Sequence, residues 1–125
     1  MDITPAIPAG RQIIESYGAG RFRVSGRLHQ GSVLVFPQET LGWGLREISA
    51  LSLQSLAPVI ERANDVEVLL LGCGPHMTLV PDELRAALRE AGIVVEPMDT
   101  GAACRTFNVL MAEERRVAAA LIAVD

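Results

Sequence analysis

The second half of the chain alternates apolar runs with amphipathic segments, and this alternation constrains the fold more than any other feature. Val66 to Leu71 is nearly continuous in apolar residues, which is typical of a strand covered on both faces. Pro81 to Ala91 then repeats apolar residues at helical spacing, and Gly92 is placed to end that helix. Ile93 to Glu96 is the next apolar run. The pattern predicts two adjacent parallel strands joined by a helix.

The last quarter of the chain repeats this alternation with more polar residues. Asp99 or Thr100 can cap a further helix. Its apolar positions predict a buried face made of Ala103, Phe107, Leu110 and Met111. Val117 to Val124 is apolar throughout and predicts the last strand.

The first half of the chain has a different pattern. Residues 1–10 carry two prolines and a glycine without any period and predict an irregular leader. Ile13 to Tyr17, Phe22 to Val24 and Ser32 to Phe36 are short β-rich runs separated by glycines, which predicts an antiparallel meander. A short helix is expected to begin near Ser55, because Pro58 cannot lie deep in a helix.

These elements predict one α/β domain over residues 11–125. It has three layers, a mixed central sheet, an N-terminal antiparallel β meander and alternating strand and helix units in its C-terminal half. A chain of 125 residues, half of them hydrophobic, is long enough for one core and too short for two.

Charge and composition narrow the function classes. The net charge is −4 and all eleven basic residues are arginines without any cluster, so nucleic acid is not expected as a partner. No apolar run is long enough for a membrane span, and the first residues resemble neither a signal peptide nor a transit peptide. We therefore expect a cytoplasmic protein in a bacterial setting.

The two cysteines and two histidines are scattered along the chain, at Cys73, Cys104, His29 and His76. This spacing matches no zinc motif and no disulfide framework, so no metal and no cofactor are predicted. We expect the two cysteines to remain unbonded to each other in the cytoplasm. His76 is either an acid or base or, more simply, a surface residue.

Several motifs together resemble a known family. The motifs are Tyr17 to Val24, Val68 to Gly74, Gly92 to Glu96 and Asp99 to Leu110, in that order. The chain resembles the domain-of-unknown-function family that includes the mitochondrial NADH:ubiquinone oxidoreductase complex assembly factor 3 and the adipogenesis-associated domain protein. The resemblance implies a three-layer α/β fold and an accessory or assembly role with a protein partner, without an established catalytic activity.

The chain departs from the family pattern at one turn. Relatives commonly have Glu-Gly-Arg between the last helix and the last strand, whereas this chain has Glu113, Glu114 and Arg115. A glycine there would accept a left-handed conformation at low cost. Either the helix runs longer here, or another residue holds the turn.

The candidate site combines two segments that should emerge at the same edge of the sheet. Gly72, Gly74, Thr100 and Asn108 are expected to line one concavity, because ligands of open α/β sheets bind beyond the carboxyl ends of the strands. No catalytic residue is predicted. The full set of ligand- or partner-binding candidates is Gly72, Cys73, Gly74, Thr100, Cys104, Arg105 and Asn108.

Each candidate also has a structural interpretation. The glycine turn is either a plain turn or a small-anion site whose amides face the ligand. Cys104 is either a small core residue or a thiol whose pKa is lowered by Arg105 and the helix start. Asn108 either orients a ligand or hydrogen-bonds to loops beside its helix. Trp43, between two glycines, is either part of the core or an exposed partner anchor.

Two functions therefore remain open. The first is a non-catalytic accessory or assembly module that binds a protein partner through the glycine turn and the helix from Thr100 to Asn108. The second is a small-molecule binding protein or enzyme that uses the same cleft for an anionic ligand. The sequence leaves the partner, the ligand and the oligomeric state undetermined.

Overall fold

The computed structural model describes residues 7–125. Of the leader predicted over residues 1–10, the first six therefore lie outside the described residues, and its boundary stays a prediction. The strands are β1 (Ile14–Gly18), β2 (Arg21–Val24), β3 (Arg27–Gln30), β4 (Val33–Val35), β5 (Thr40–Gly42), β6 (Val68–Gly72), β7 (Val94–Met98) and β8 (Val117–Leu121). The α-helices are α1 (Ala57–Glu61), α2 (Asp82–Glu90) and α3 (Thr100–Ala112).

The central sheet has five strands in the order β5-β4-β8-β6-β7. β6 pairs in parallel with both β7 and β8, whereas β4 pairs antiparallel with β5 and β8. The sheet is therefore mixed, as predicted. The apolar runs beginning at Val66 and Ile93 form the adjacent parallel strands β6 and β7, connected through α2, which confirms that prediction.

The sheet separates two cores, which gives the fold its three layers. Along β6, Leu69 and Leu71 pack on one side with residues of α1 and α2. Leu70 packs on the other side with α3 and the meander. A strand sandwiched in this way has apolar side chains on both faces, which explains its continuous apolar run.

The N-terminal meander differs in membership from the sequence prediction. It consists of β1, β2 and β3, and β3 is not among the predicted strands. The run Ser32 to Phe36, assigned to the meander, supplies β4 of the central sheet instead. The reason is burial: Val33, Leu34 and Val35 are all buried, so this run is covered on both faces as β6 is.

The region between β5 and β6 packs over one face of the sheet. A short 3₁₀ turn at Gln54–Leu56 leads into α1, whose first turn holds Pro58, so the helix is short and begins late, as expected. Trp43 is buried, and its indole N–H donates to the Ser55 carbonyl over 2.8 Å. Of the two interpretations left open for Trp43, the structure supports the core residue.

Candidate functional site

The parallel strands end together at a junction built around Thr100. The Thr100 Oγ1 accepts a hydrogen bond from the Gly74 N–H at 3.0 Å and donates one to the Ile122 carbonyl at 2.8 Å. The Thr100 N–H donates to the Gly74 carbonyl at 2.8 Å. Thr100 is fully buried. The structure thus brings Gly74 and Thr100 together as predicted, by direct hydrogen bonds rather than across a cavity.

Gly72 shows how tightly this junction is packed. A Cβ at Gly72 would lie 2.9 Å from the Leu121 Cδ2 and 3.1 Å from the Thr100 Cα. The Cys73 N–H already donates to the Met98 carbonyl, and the Gly74 N–H to Thr100. The expectation that Gly72 lines a concavity is therefore wrong, because Leu121 and Thr100 fill the space beside it, and the Cys73 and Gly74 amides are already hydrogen-bonded.

Asn108 lies two helical turns beyond Thr100, and its side chain hydrogen-bonds to Ile14 in β1. Its Oδ1 accepts from the Ile14 N–H at 2.9 Å, and its Nδ2 donates to the Ile14 carbonyl at 2.8 Å. Both hydrogen bonds of the Asn108 side chain therefore go to β1 rather than to Gly72, Gly74 or Thr100, and its grouping with them stays a prediction. The alternative interpretation, hydrogen bonds to the backbone beside the helix, describes what this side chain does.

The two cysteines are buried and free. Cys73 belongs to the core on the α2 side and Cys104 to the core on the α3 side, so the sheet separates them. Burial raises the pKa of the Cys104 thiol to about 12, and the opposing effect of the Arg105 charge is smaller. The interpretation of Cys104 as a thiol of lowered pKa is therefore wrong, because desolvation outweighs the neighbouring cation.

Arg105 is the one predicted site residue that is exposed. Its Nη1 donates to the Tyr17 hydroxyl at 3.4 Å, and Tyr17 is 43% exposed. The Tyr17 ring covers the start of α3, where a Cβ at Gly101 would lie 2.5 Å from its hydroxyl. Arg105 and Tyr17 therefore form a polar and aromatic surface beside the first turn of α3.

The loop from Pro75 to Leu79 follows Gly74, which is hydrogen-bonded to Thr100 at the start of α3, and its residues other than His76 are not among the candidates named above. All five of its residues are exposed, including His76, which thus has the surface position considered above. Met77 is 54% and Leu79 is 78% exposed. The sequence does contain a signal for this exposure: two apolar residues lie in a short connection after a glycine turn. Such connections usually run over the protein surface. We call Pro75 to Leu79, Tyr17 and Arg105 the carboxyl-end surface, because Gly74, which precedes the loop, bonds to Thr100 and Tyr17 lies over Gly101, both at the start of α3.

Of two cavities among the described residues, the first contains none of these residues, and the second shares Tyr17 with the carboxyl-end surface. One of about 260 Å³ includes Arg11, Arg62 and Arg116 in its lining, together with the carboxylates Glu39 and Asp65. The other, of about 210 Å³, lies on the meander. Within residues 7–125, no group of three or more His, Cys, Asp or Glu side chains is placed to hold a metal ion. No helix in the same range is long and apolar enough to cross a membrane.

Solved structures share this architecture. A crystal structure of a Bartonella henselae protein, described as an outer membrane protein, matches with a TM-score of 0.86 and 41% identity, covering 96% of this chain and 100% of that one. A Bordetella pertussis protein described as a Mth938-like domain matches with a TM-score of 0.80 and 28% identity, covering 98% and 92%. The chain therefore has the Mth938-like three-layer α/β fold.

Sequence comparison identifies the family. The family described as a protein of unknown function (DUF498/DUF598) matches residues 14–122, and the chain belongs to it. An uncharacterized protein of Rhodobacter capsulatus is 36% identical over 115 residues, which cover 91% of this chain and 86% of the relative. The resemblance found in the motifs is thereby confirmed.

Curated animal relatives carry a functional name. The NADH dehydrogenase (ubiquinone) 1 alpha subcomplex assembly factor 3 of Danio rerio is 37% identical over 110 residues, covering 88% of this chain. The human factor of the same name is 29% identical over 109 residues. The matched region is 63% of the Danio rerio relative's length and 59% of the human one, so the chain spans less than two thirds of either.

Proposed function

We propose that this protein is a non-catalytic accessory or assembly module that binds a protein partner through the carboxyl-end surface. The observation that carries the proposal is the exposure of Met77 and Leu79, 54% and 78% respectively, on the short loop that follows Gly74, the residue bonded to Thr100 at the start of α3. Large apolar side chains grouped at the surface are characteristic of protein interaction sites. Methionine in particular adapts its shape to a partner.

The loop is held at both ends. Gly74 is fixed to Thr100 by two hydrogen bonds, and Val80 is buried in the core on the α2 side. A loop anchored in this way loses less conformational entropy when it binds, which favours affinity. Arg105 and Tyr17 add two residue types that are enriched at the energetic centres of interfaces.

The predicted site residues have two different roles in this proposal. Arg105 contacts the partner directly because it is exposed. The others position the surface from below: Gly72, Cys73, Gly74, Thr100 and Cys104 are buried, and Asn108 is half-buried against Ile14. An anionic ligand among the glycine amides is not favoured, because the N–H groups of Cys73 and Gly74 already have partners.

The names of the animal relatives suggest the process. We propose that the protein acts in the assembly of a respiratory NADH dehydrogenase and does so in the cytoplasm, with the partner a subunit or another factor of that assembly. Cell fractionation tests the location. Recovery of the protein in the outer-membrane fraction would contradict the cytoplasmic assignment.

A complementation experiment tests the role and the surface together. Deleting the gene should lower the amount of assembled NADH dehydrogenase seen on native gels of the membranes. Wild-type protein should restore it, whereas Met77→Ser combined with Leu79→Ser should not, at equal protein level and equal melting temperature. Leu53→Ser is the matched control, because Leu53 is a 43% exposed leucine that does not belong to the residues of the carboxyl-end surface.

Site-specific crosslinking tests direct contact. A photo-crosslinking amino acid at position 79 should capture defined proteins that the same amino acid at position 53 does not capture, and Arg105→Glu should reduce that capture. Identical products from positions 79 and 53 would count against the carboxyl-end surface. Normal NADH dehydrogenase levels in the deletion strain would instead count against the assembly role.

A further inference from the structure

The cavity on the meander opens on the outer face of that sheet. Along β2, Phe22 and Val24 point into the core, whereas Arg21 and Arg23 alternate with them and are exposed. We call this cavity of about 210 Å³ the meander cavity. Its lining residues are Ser16, Tyr17, Gly18, Arg21, Arg23 and Leu28.

Arg21 and Arg23 are arranged to act as a pair. Residues two apart on a strand share one face, with Cα atoms about 7 Å apart. Each guanidinium carries five N–H donors, and Arg23 uses one of them in a 3.4 Å bond to the Gly26 carbonyl. Ser16 pairs with Arg23 in the β1–β2 register and adds a hydroxyl to the same face.

The charge of the lining distinguishes this cavity from the larger one. The larger cavity contains the carboxylates Glu39 and Asp65, and its Arg62 is already bonded to Glu39 at 3.2 Å. Among the described residues, the meander cavity has two arginines in its lining and no carboxylate. The lining therefore offers an anion two positive charges and no carboxylate, in a protein whose net charge is −4. Asp125, beside Gly18, and Glu15, which accepts from the Gly26 N–H, lie outside the lining.

We propose that the meander cavity binds one dianionic phosphate group, either free or carried by a small phosphate monoester. The two guanidinium groups balance the two negative charges, and bidentate arginine contacts suit the phosphate oxygens. The Ser16 hydroxyl is a further donor, and Leu28 provides an apolar wall for the small group that a monoester carries. The cavity volume is below the usual range for drug-sized ligands, about 300 to 1,000 Å³, so the ligand has to be small.

The test is an NMR titration of the isotopically labelled protein with inorganic phosphate and, separately, with glycerol 3-phosphate, at constant ionic strength. We expect saturable shifts in the signals of Ser16, Gly18, Arg21 and Arg23. Arg21→Gln and Arg23→Gln should each weaken binding by about tenfold or more, the loss expected for a charge-assisted hydrogen bond. Arg11→Gln is the matched control, since Arg11 is an exposed arginine of the other cavity.

Three results would overturn the assignment. Shifts that grow linearly without saturation would show no defined site. An equal loss of binding in Arg11→Gln would show that net charge, rather than this cavity, attracts the anion. Equal affinity for acetate at the same ionic strength would show that the site does not select a dianion. Saturation by glycerol 3-phosphate and not by free phosphate would assign the site to esters.

Discussion

Asn108 pairs with Ile14 through both backbone groups of that residue, although the two lie 94 positions apart in the chain. The Asn108 side chain accepts from the Ile14 N–H at 2.9 Å and donates to the Ile14 carbonyl at 2.8 Å. Ile14 begins β1, an edge strand of the meander. The amide thus takes the place of a further strand residue, covering part of an unpaired edge and fastening the meander to α3.

The first prediction follows from that pair. Asn108→Ala should lower the free energy of unfolding by about 2 to 3 kcal/mol, because it leaves two backbone groups of Ile14 without partners. Asn108→Asp should also destabilise, since a carboxylate cannot donate to the Ile14 carbonyl. Urea denaturation measures both, with Thr106→Ala as a control elsewhere on α3. A near-normal Asn108→Ala that has lost partner binding would restore the site role of Asn108.

The second prediction concerns Cys104 and alkaline pH. Its pKa is raised from 9.0 to about 12 by burial, so above pH 9 the unfolded chain loses a proton that the native chain keeps. Stability should then fall by about 1.4 kcal/mol for each pH unit toward pH 12 from this group alone. Below pH 9 the thiol is protonated in both states, and the loss is absent.

Comparison of wild type with Cys104→Ala isolates this contribution. The variant also loses stability because its side chain is smaller, but this loss is the same at every pH. Only the slope of the free energy of unfolding against pH is therefore informative. Urea denaturation between about pH 8 and about pH 11 should show a shallower decline for the variant. Parallel curves for the two proteins would contradict a protonated, buried thiol.

The third prediction concerns the end of α3. Glu114 has a φ of 59°, its N–H donates to the Met111 carbonyl at 2.9 Å, and the Arg115 N–H donates to the Leu110 carbonyl at 3.0 Å. This is a Schellman cap whose left-handed position usually holds glycine. The helix thus ends at Ala112, and Glu114 holds the turn at the cost of a strained backbone.

Glu114→Gly should therefore stabilise the protein by about 0.5 to 1 kcal/mol, after allowing for the greater freedom of glycine in the unfolded chain. The melting temperature should rise by about 3 °C. Glu113→Gly is the matched control, because Glu113 has a φ of −87° and gains nothing from glycine. A melting temperature that is unchanged or lower in Glu114→Gly would show that the left-handed turn carries no strain.

The fourth prediction couples Gly101 to Tyr17. Replacing a helical glycine with alanine normally stabilises by about 1 kcal/mol. Here the new Cβ would lie 2.5 Å from the Tyr17 hydroxyl and 3.1 Å from its Cζ, so the ring has to move aside and Gly101→Ala should stabilise by less than that amount. In a Tyr17→Ala background the same change should stabilise by the full amount. Thermal unfolding of both single variants and the double variant gives the coupling, and an equal effect in both backgrounds would refute the contact.

How far the sequence predicts this molecule differs between its two halves. Val66 to Leu71 and Ile93 to Glu96 were placed in adjacent parallel strands, because two-sided burial leaves a continuous apolar run. The same signal is present at Val33 to Val35, yet the nearby glycine-separated runs suggested a hairpin partner instead. Spacing identifies a strand, but it does not identify the strand that pairs with it.

The candidate site was likewise predicted only in part from the sequence. The motifs around Gly72 and Thr100 pointed to one end of the sheet, and the structure joins Gly74 to Thr100 there. The sequence could not distinguish the buried residues of that junction from the exposed residues of the carboxyl-end surface. In the sequence, Met77 and Leu79 look like ordinary apolar residues, and only the structure shows that they are exposed.

The sequence by itself determined the order of strands and helices from Val66 onward, the three-layer class and the family, because hydrophobic period and local motifs are properties of neighbouring residues. Only the tertiary structure decided what the polar and reactive side chains do. Asn108 takes its role from Ile14, and Cys104 takes its protonation from the core that encloses it. Hydrogen-bond partners and desolvation come from residues distant in the chain, and no local pattern records them.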